Sequence, residues 1–201
     1  MSETHQTLPL FPLHTVLFPG GPVSLRVFEP RYLAMVSRCL KQDSGFGVVL
    51  IRSGQETGAS RIHAVGTVAR IRDWDRLEDG LLGITALGER RFRLHGVDRQ
   101  SDGLHIGRIS LWPKPEAKVA VPGDHRHLVQ VLEQVLPRLP AAWRLVTPAM
   151  DDAEWVGFRL AELLPVSLVE KQQLLEMNDP LDRLTEISRY FEGPEGMGRD
   201  D

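Results

Sequence analysis

Residues 8–32 read LPLFPLHTVLFPGGPVSLRVFEPRY. Pro9, Pro12, Pro19 and Pro22 fix φ and remove backbone donors, while Leu8, Leu10, Leu13, Val16, Leu17 and Phe18 bring surface that must be buried. An interior helix is excluded. Proline is confined to edge strands, strand starts and turns, so the stretch predicts two short strands of a barrel, about 8–13 and 23–28, around a turn at Pro19-Gly20-Gly21-Pro22. A helix starts directly after them, with Glu29 in the N-cap position and Pro30 at the first helical position, where its missing N–H would be unpaired anyway. Its apolar face is expected to hold Leu33, Val36 and Leu40, with Tyr32, Met35 and Cys39 beside it.

Working outward, Asp43-Ser44-Gly45 breaks the helical pattern and FGVVLI (46–51) is a continuous apolar run of strand length, which predicts a buried strand. Residues 62–74 alternate as a long strand and return through Asp79-Gly80 into 81–87. Gly88 is expected to interrupt, a further strand covers 91–97, and Asp102-Gly103 turns it into 104–112. Five or six antiparallel strands at this spacing imply a closed or nearly closed small barrel. WPKPEAKVAVP then shifts the composition, and four helical segments with apolar faces follow, one capped by Asp151 with Glu154 and one by Ser167 with Glu170. The predicted class is α+β: a small, mostly antiparallel β-barrel over 8–112 with one inserted helix, a linker at 113–122, a C-terminal helical bundle over 123–192 and a disordered tail at 193–201.

The 201 residues are 42% hydrophobic and 25% charged, the composition of a globular protein with one good core or two small ones. The net charge of -3 is uneven: residues 1–112 carry 14 Lys+Arg against 11 Asp+Glu, and the remainder 10 against 16. That balance argues against a general nucleic-acid binder. One cysteine excludes an internal disulfide and a multi-cysteine zinc site. No apolar run of about 18 residues offers a membrane span, and the opening MSETHQT has no leader character, so the cytoplasm is the expected location.

Candidate chemistry is sparse. Neither a G-x-x-x-x-G-K-[ST] loop nor a G-x-S-x-G elbow occurs. Cys39 falls on the apolar side of a helix, where a structural thiol is expected. His125 and His127 form an H-x-H pair, but at a helix start this spacing turns the rings about 200° apart, so a solvated pair is expected rather than metal ligands. Asp73, Asp75, Glu78 and Asp79 gather at a hairpin end as an acidic loop tip. No catalytic set, cofactor or metal is expected.

The strings LPLFPL, VLFPG and FEPRY, in this order and spacing, resemble the start of the Lon protease amino-terminal domain, the substrate-binding LON domain, and its stand-alone form most closely. VGTVARI (65–71), GERRF (88–92) and LPVSLVEKQQLLEMNDPLDRL (164–184) continue the resemblance, which covers roughly residues 8–191. It implies a non-catalytic module that holds unfolded or exposed apolar protein segments, on a barrel edge or in a groove between lobes, with a protease or chaperone as further partner. Within FEPRY, Arg31 and Tyr32 have a contact reading and a structural one, in which Glu29 and Pro30 start a helix and give Arg31 a charge partner. Trp74, between two aspartates, is the candidate exposed anchor. The LON barrel is similar to the PUA barrel, many of whose relatives bind RNA. Arg90, Arg91, Arg93 and Arg99 support that alternative, and the acidic helical lobe and the lack of an aromatic platform oppose it.

Overall fold

The computed structural model describes residues 6–54, 61–113 and 117–192. In chain order these form β1 (Gln6–Leu13), β2 (Pro22–Val27), α1 (Pro30–Gln42), β3 (Phe46–Ser53), β4 (Arg61–Arg76), β5 (Leu82–Arg99) and β6 (His105–Leu111), then α2 (Arg126–Val135), α3 (Ala153–Leu163), α4 (Leu168–Glu176) and α5 (Pro180–Glu192). The class is α+β. Two compact units divide the chain: Met1–Lys114 with Pro140–Thr147, and Pro115–Leu139 with Pro148–Asp201. Residues 140–147, expected inside the helical lobe, thus belong to the strand unit, where the 3-10 turn Ala141–Leu145 lies near β2. The tail expected to be disordered lies outside the described residues.

Five strands of the first unit pair in a closed circuit. β1 runs parallel to β3 and antiparallel to β6, while β3–β4, β4–β5 and β5–β6 are antiparallel. β5 is long enough to serve two partners on one edge, β2 along its first half and β6 along its second. β1 and β2 flank the Pro19–Pro22 turn without pairing, and β2, expected as a barrel strand, stands outside the circuit. The connection between them is pinned across the sheet instead. Thr67 Oγ1 donates to Leu17 O at 2.6 Å, Gly20 N to Gly88 O at 2.7 Å and Gly88 N to Gly21 O at 2.9 Å. Gly88 does not interrupt β5. A Cβ there would lie 2.2 Å from Phe18 O, so the glycine permits the close crossing.

β3 is buried over its first six residues, as a continuous apolar run between two neighbours requires. Inside the circuit, Leu10, Val49, Phe92 and Ile109 form one apolar cluster. A second cluster, with Phe11, Phe46, Ile84 and Ala86, receives α1. The helix turns Tyr32, Met35, Val36 and Cys39 inward, at i, i+3, i+4 and i+7, and leaves Leu33 and Leu40 exposed. The apolar face is therefore the Tyr32–Cys39 stripe, rotated from the one expected. Glu29 caps only through its backbone carbonyl, which accepts from Tyr32 N and Leu33 N at 3.0 Å, and its carboxylate is used elsewhere.

In the second unit Ser167 and Glu170 form the expected capping box, whereas α3 is capped by Asp152, one residue after the expected Asp151. Residues 119–121, expected as linker, bridge antiparallel to 151–153 through Val121 N to Asp151 O and Ala153 N to Val119 O. Two arginines are fully buried. Arg183 lies over Phe158 at 4.0 Å and donates Nε to Leu174 O at 2.9 Å, and Arg159 Nη2 lies 3.2 Å from Glu162 Oε2. Burial raises Glu162 to about 7, against the pull of Arg159 and Lys171. A carboxyl whose folded pKa exceeds its unfolded one contributes full stability below about pH 4.5 and loses it as pH rises through 7. Equilibrium unfolding from pH 4.5 to 8 is expected to show wild type losing on the order of 3 kcal/mol relative to E162Q across that window. A flat difference would show that the carboxylate stays ionised throughout.

Candidate functional site

The stretch 8–32 surrounds a hollow of 450 Å³ whose lining is mostly apolar, with His14, Thr15, Ser24, Arg26 and Glu29 among it. Its wall comes from β2, the end of β1 with His14 and Thr15 after it, and the start of α1, and no β5 residue contributes, which places it beside β2 away from its strand partner. Val23, Leu25 and Val27 alternate toward the core side, as a strand of period two dictates. Phe28 follows them at the rim and is 58% exposed, the largest apolar surface around the opening. Among the described residues, the backbone ladder of β2 runs only to β5.

Tyr32 lines this hollow from below and is 3% exposed, its ring stacked on Phe11 with centroids 3.9 Å apart. Arg31 covers another side of Tyr32, with its guanidinium 4.7 Å from the ring centroid. The same guanidinium pairs with Glu29 at 2.8 Å and donates to Gly103 O at 3.1 Å. Arg31 is 8% exposed, so its groups are committed to neighbours that also fix the start of α1.

Trp74 is not brought to Arg31 and Tyr32. It is 60% exposed and lines a second hollow of 400 Å³ with Asp73, Asp75 and Leu77. The two hollows share only Ser24, Leu25 and Arg26 of β2. Register places Trp74 opposite Ile84 and Ile84 opposite Leu25, one row across three strands. Arg26 is tied to Asp79 of the acidic hairpin end.

The other candidates resolve as structure. Cys39 is buried, burial pushes its thiol up, and Sγ donates to Gly45 O at 3.6 Å. Of His125 and His127, expected as a solvated pair, His127 is exposed and His125 largely covered; their Nδ1 atoms lie 3.0 Å from Asp124 Oδ1 and Asp124 O, and their Nε2 atoms 3.4 Å from Thr185 and Ser188 hydroxyls. Among the described residues no group of three His, Cys, Asp or Glu is placed to hold a metal, and no described helix is long and apolar enough to cross a membrane. Arg91 and Arg93 sit over the Trp112 ring at 4.7 and 5.4 Å, and Arg90 donates to Trp112 O at 2.6 Å. Arg99 stands apart at the β5–β6 turn.

Sequence reasoning missed Phe28 and the single ladder partner of β2. An apolar residue before an N-cap reads as a hydrophobic staple, and nothing local reveals which strand lacks a second partner.

Residues 7–192 match the model of the ATP-dependent protease La (LON) substrate-binding domain. A crystal structure of a Lon N-terminal domain protein from Xanthomonas campestris is similar at 39% identity and a TM-score of 0.76, over 92% of this chain and 98% of that one. The N-terminal domain of the Mycobacterium avium complex Lon protease shares the fold, at 16% identity and a TM-score of 0.63 over 94% and 100% of the two chains. Lon protease 2 of Myxococcus xanthus is 26% identical over 181 residues, 87% of this chain and 22% of that protein. The chain thus spans about a fifth to a quarter of the curated relatives it matches, 22% and 24% for the first two.

Proposed function

This chain belongs to the ATP-dependent protease La (LON) substrate-binding domain family, and from that premise we propose that it acts by binding polypeptide, with no catalytic step of its own. An extended segment of an unfolded or partly folded protein adds to the outer edge of β2 and places alternate apolar side chains in the hollow beside it. The observation that carries this reading is the strand outside the circuit, with one ladder partner and an apolar hollow along its other edge. Main-chain hydrogen bonds supply affinity that does not depend on sequence, and the hollow selects apolar over charged side chains. Tyr32 and Arg31 serve as the floor and its brace, and Trp74 as a second anchor across the row from Leu25. The indole face that base stacking would use already carries Arg91 and Arg93, which favours polypeptide over RNA. The setting is the cytoplasm, beside a protease or chaperone that receives the held segment.

The test is fluorescence anisotropy with a labelled ten-residue apolar peptide and the same peptide N-methylated at alternate residues. Binding in the range of tens of micromolar is expected for the first and is lost for the second, because N-methylation removes the edge-pairing donors. Equal affinity for both peptides removes edge pairing from the account, and no binding of either at about 100 µM removes the function itself.

A further inference from the structure

The second unit has a hollow of its own, 540 Å³ in volume, larger than either hollow beside β2. α2 buries Leu128 and Leu132 and gives the hollow Arg126, Val129, Gln130 and Glu133, the i, i+3, i+4, i+7 stripe of one helical face. Val121, Val129 and Met150, all half-buried, form its apolar part. Ala120 lines it as well, and its main chain is turned outward. In the bridge between Ala120 and Asp152 the hydrogen bonds run from Val121 N to Asp151 O and from Ala153 N to Val119 O, the widely spaced pattern, so the N–H and C=O of Ala120 itself point away from Asp152.

The charges around the hollow are uncommitted. Among the described residues, the side chains of Arg126, Gln130, Glu133 and Asp151, all of them lining it, make no hydrogen bond or ion pair, whereas Arg159 and Glu162 of the same unit pair at 3.2 Å. Arg126 and Glu133 stand two helical turns apart, about 10 Å along α2 at a rise of ~1.5 Å per residue. An extended tripeptide is also about 10 Å long, at ~3.3 Å per residue.

We propose that this hollow binds a short peptide of three or four apolar residues with both termini free. Arg126 takes the terminal carboxylate, Glu133 and Asp151 take the terminal ammonium, Ala120 pairs with a main-chain amide, and Val121, Val129 and Met150 cover the side chains. A long chain does not bring two terminal charges to this spacing. The site therefore selects the products of peptide-bond hydrolysis over intact polypeptide, and proteolysis is the class of reaction that supplies its ligand. It lies on other residues than the β2 hollow and stands independently of the reading given to that hollow.

The test adds trileucine, its N-acetyl derivative and its C-terminal amide to the full chain with isotope-labelled methionine methyl groups, the Met150 resonance being assigned by its absence from M150L. Trileucine is expected to move that resonance with a dissociation constant of about 0.1–1 mM. Each blocked form is expected to bind about tenfold more weakly, the loss of one charge-assisted contact. In R126Q trileucine and its amide then bind alike, and in the double variant E133Q/D151N trileucine and its acetyl form bind alike. All three positions are exposed, and unchanged melting temperatures confirm that these variants fold. F28A keeps the full Met150 response. Equal binding of the three forms in wild type, preferences that survive the substitutions, or no movement of Met150 up to about 10 mM overturns the proposal. A response that disappears in F28A places the peptide at β2, which overturns this site and leaves the polypeptide reading standing. Trileucine binding without any binding of the ten-residue apolar peptide supports this site and removes that reading.

Discussion

Phe92→Ala is expected to lower the unfolding free energy of the strand unit by about 3–5 kcal/mol, the range for emptying a phenylalanine site in a packed core. Phe92 is fully buried at the centre of the circuit. Its ring is accommodated by glycines on the strands opposite: Cβ atoms on Gly47 and Gly66 would come within 2.8 and 2.7 Å of Phe92 Cζ. The two glycines carry no side chain to fill the vacated volume, which leaves Val49 and its neighbours in the cluster to do so and puts the cost toward the upper end. Domains of this size have about 5–15 kcal/mol in total, so the variant retains only a small margin. Urea titration followed by tryptophan fluorescence measures the loss, and a value near 1 kcal/mol would mean that the strands collapse onto the site after all.

Phe28→Ala separates binding from folding. The side chain is 58% exposed at the rim of the hollow, so its removal is expected to leave the melting temperature within about a degree. Peptide affinity is expected to fall about 30-fold, the loss typical of an aromatic anchor at a contact centre. Isothermal titration against the apolar peptide, paired with a thermal melt, gives both numbers. Unchanged affinity would move the contact surface elsewhere, with Trp74 the next anchor to replace.

Local chemistry was legible in the sequence and non-local pairing was not. The run 46–51 announced a strand buried on both faces, and Asp-Gly at 79–80 and 102–103 announced hairpin turns whose glycines take φ 83° and 86°. Ser167 with Glu170 announced a helix start that forms as written. These signals reside within a few residues. The partner of β2 is some 60 residues away in β5, and the parallel neighbour of β1 lies beyond a whole helix, so neither leaves a local mark. The same limit applies to the candidate site. Arg31 and Tyr32 stood out because FEPRY is a distinctive string, yet Arg31 meets Arg99 only through the closure of the circuit. The rotation of α1 that exposes Leu33 and Leu40 follows from which stripe meets Phe11 and Phe46, a choice made by tertiary packing.

The position of β1 between β3 and β6 also sets a timetable. β1 leaves the ribosome before the other strands of the unit, and its second partner lies in residues 105–111, the last of them. At about 5–20 residues per second, β1 waits on the order of ten seconds for that partner. During this interval Leu8 and Leu10, which the finished unit covers from both sides, have no complete seat. A protein whose proposed task is to hold the unfinished segments of others must itself be held, briefly, while it is made.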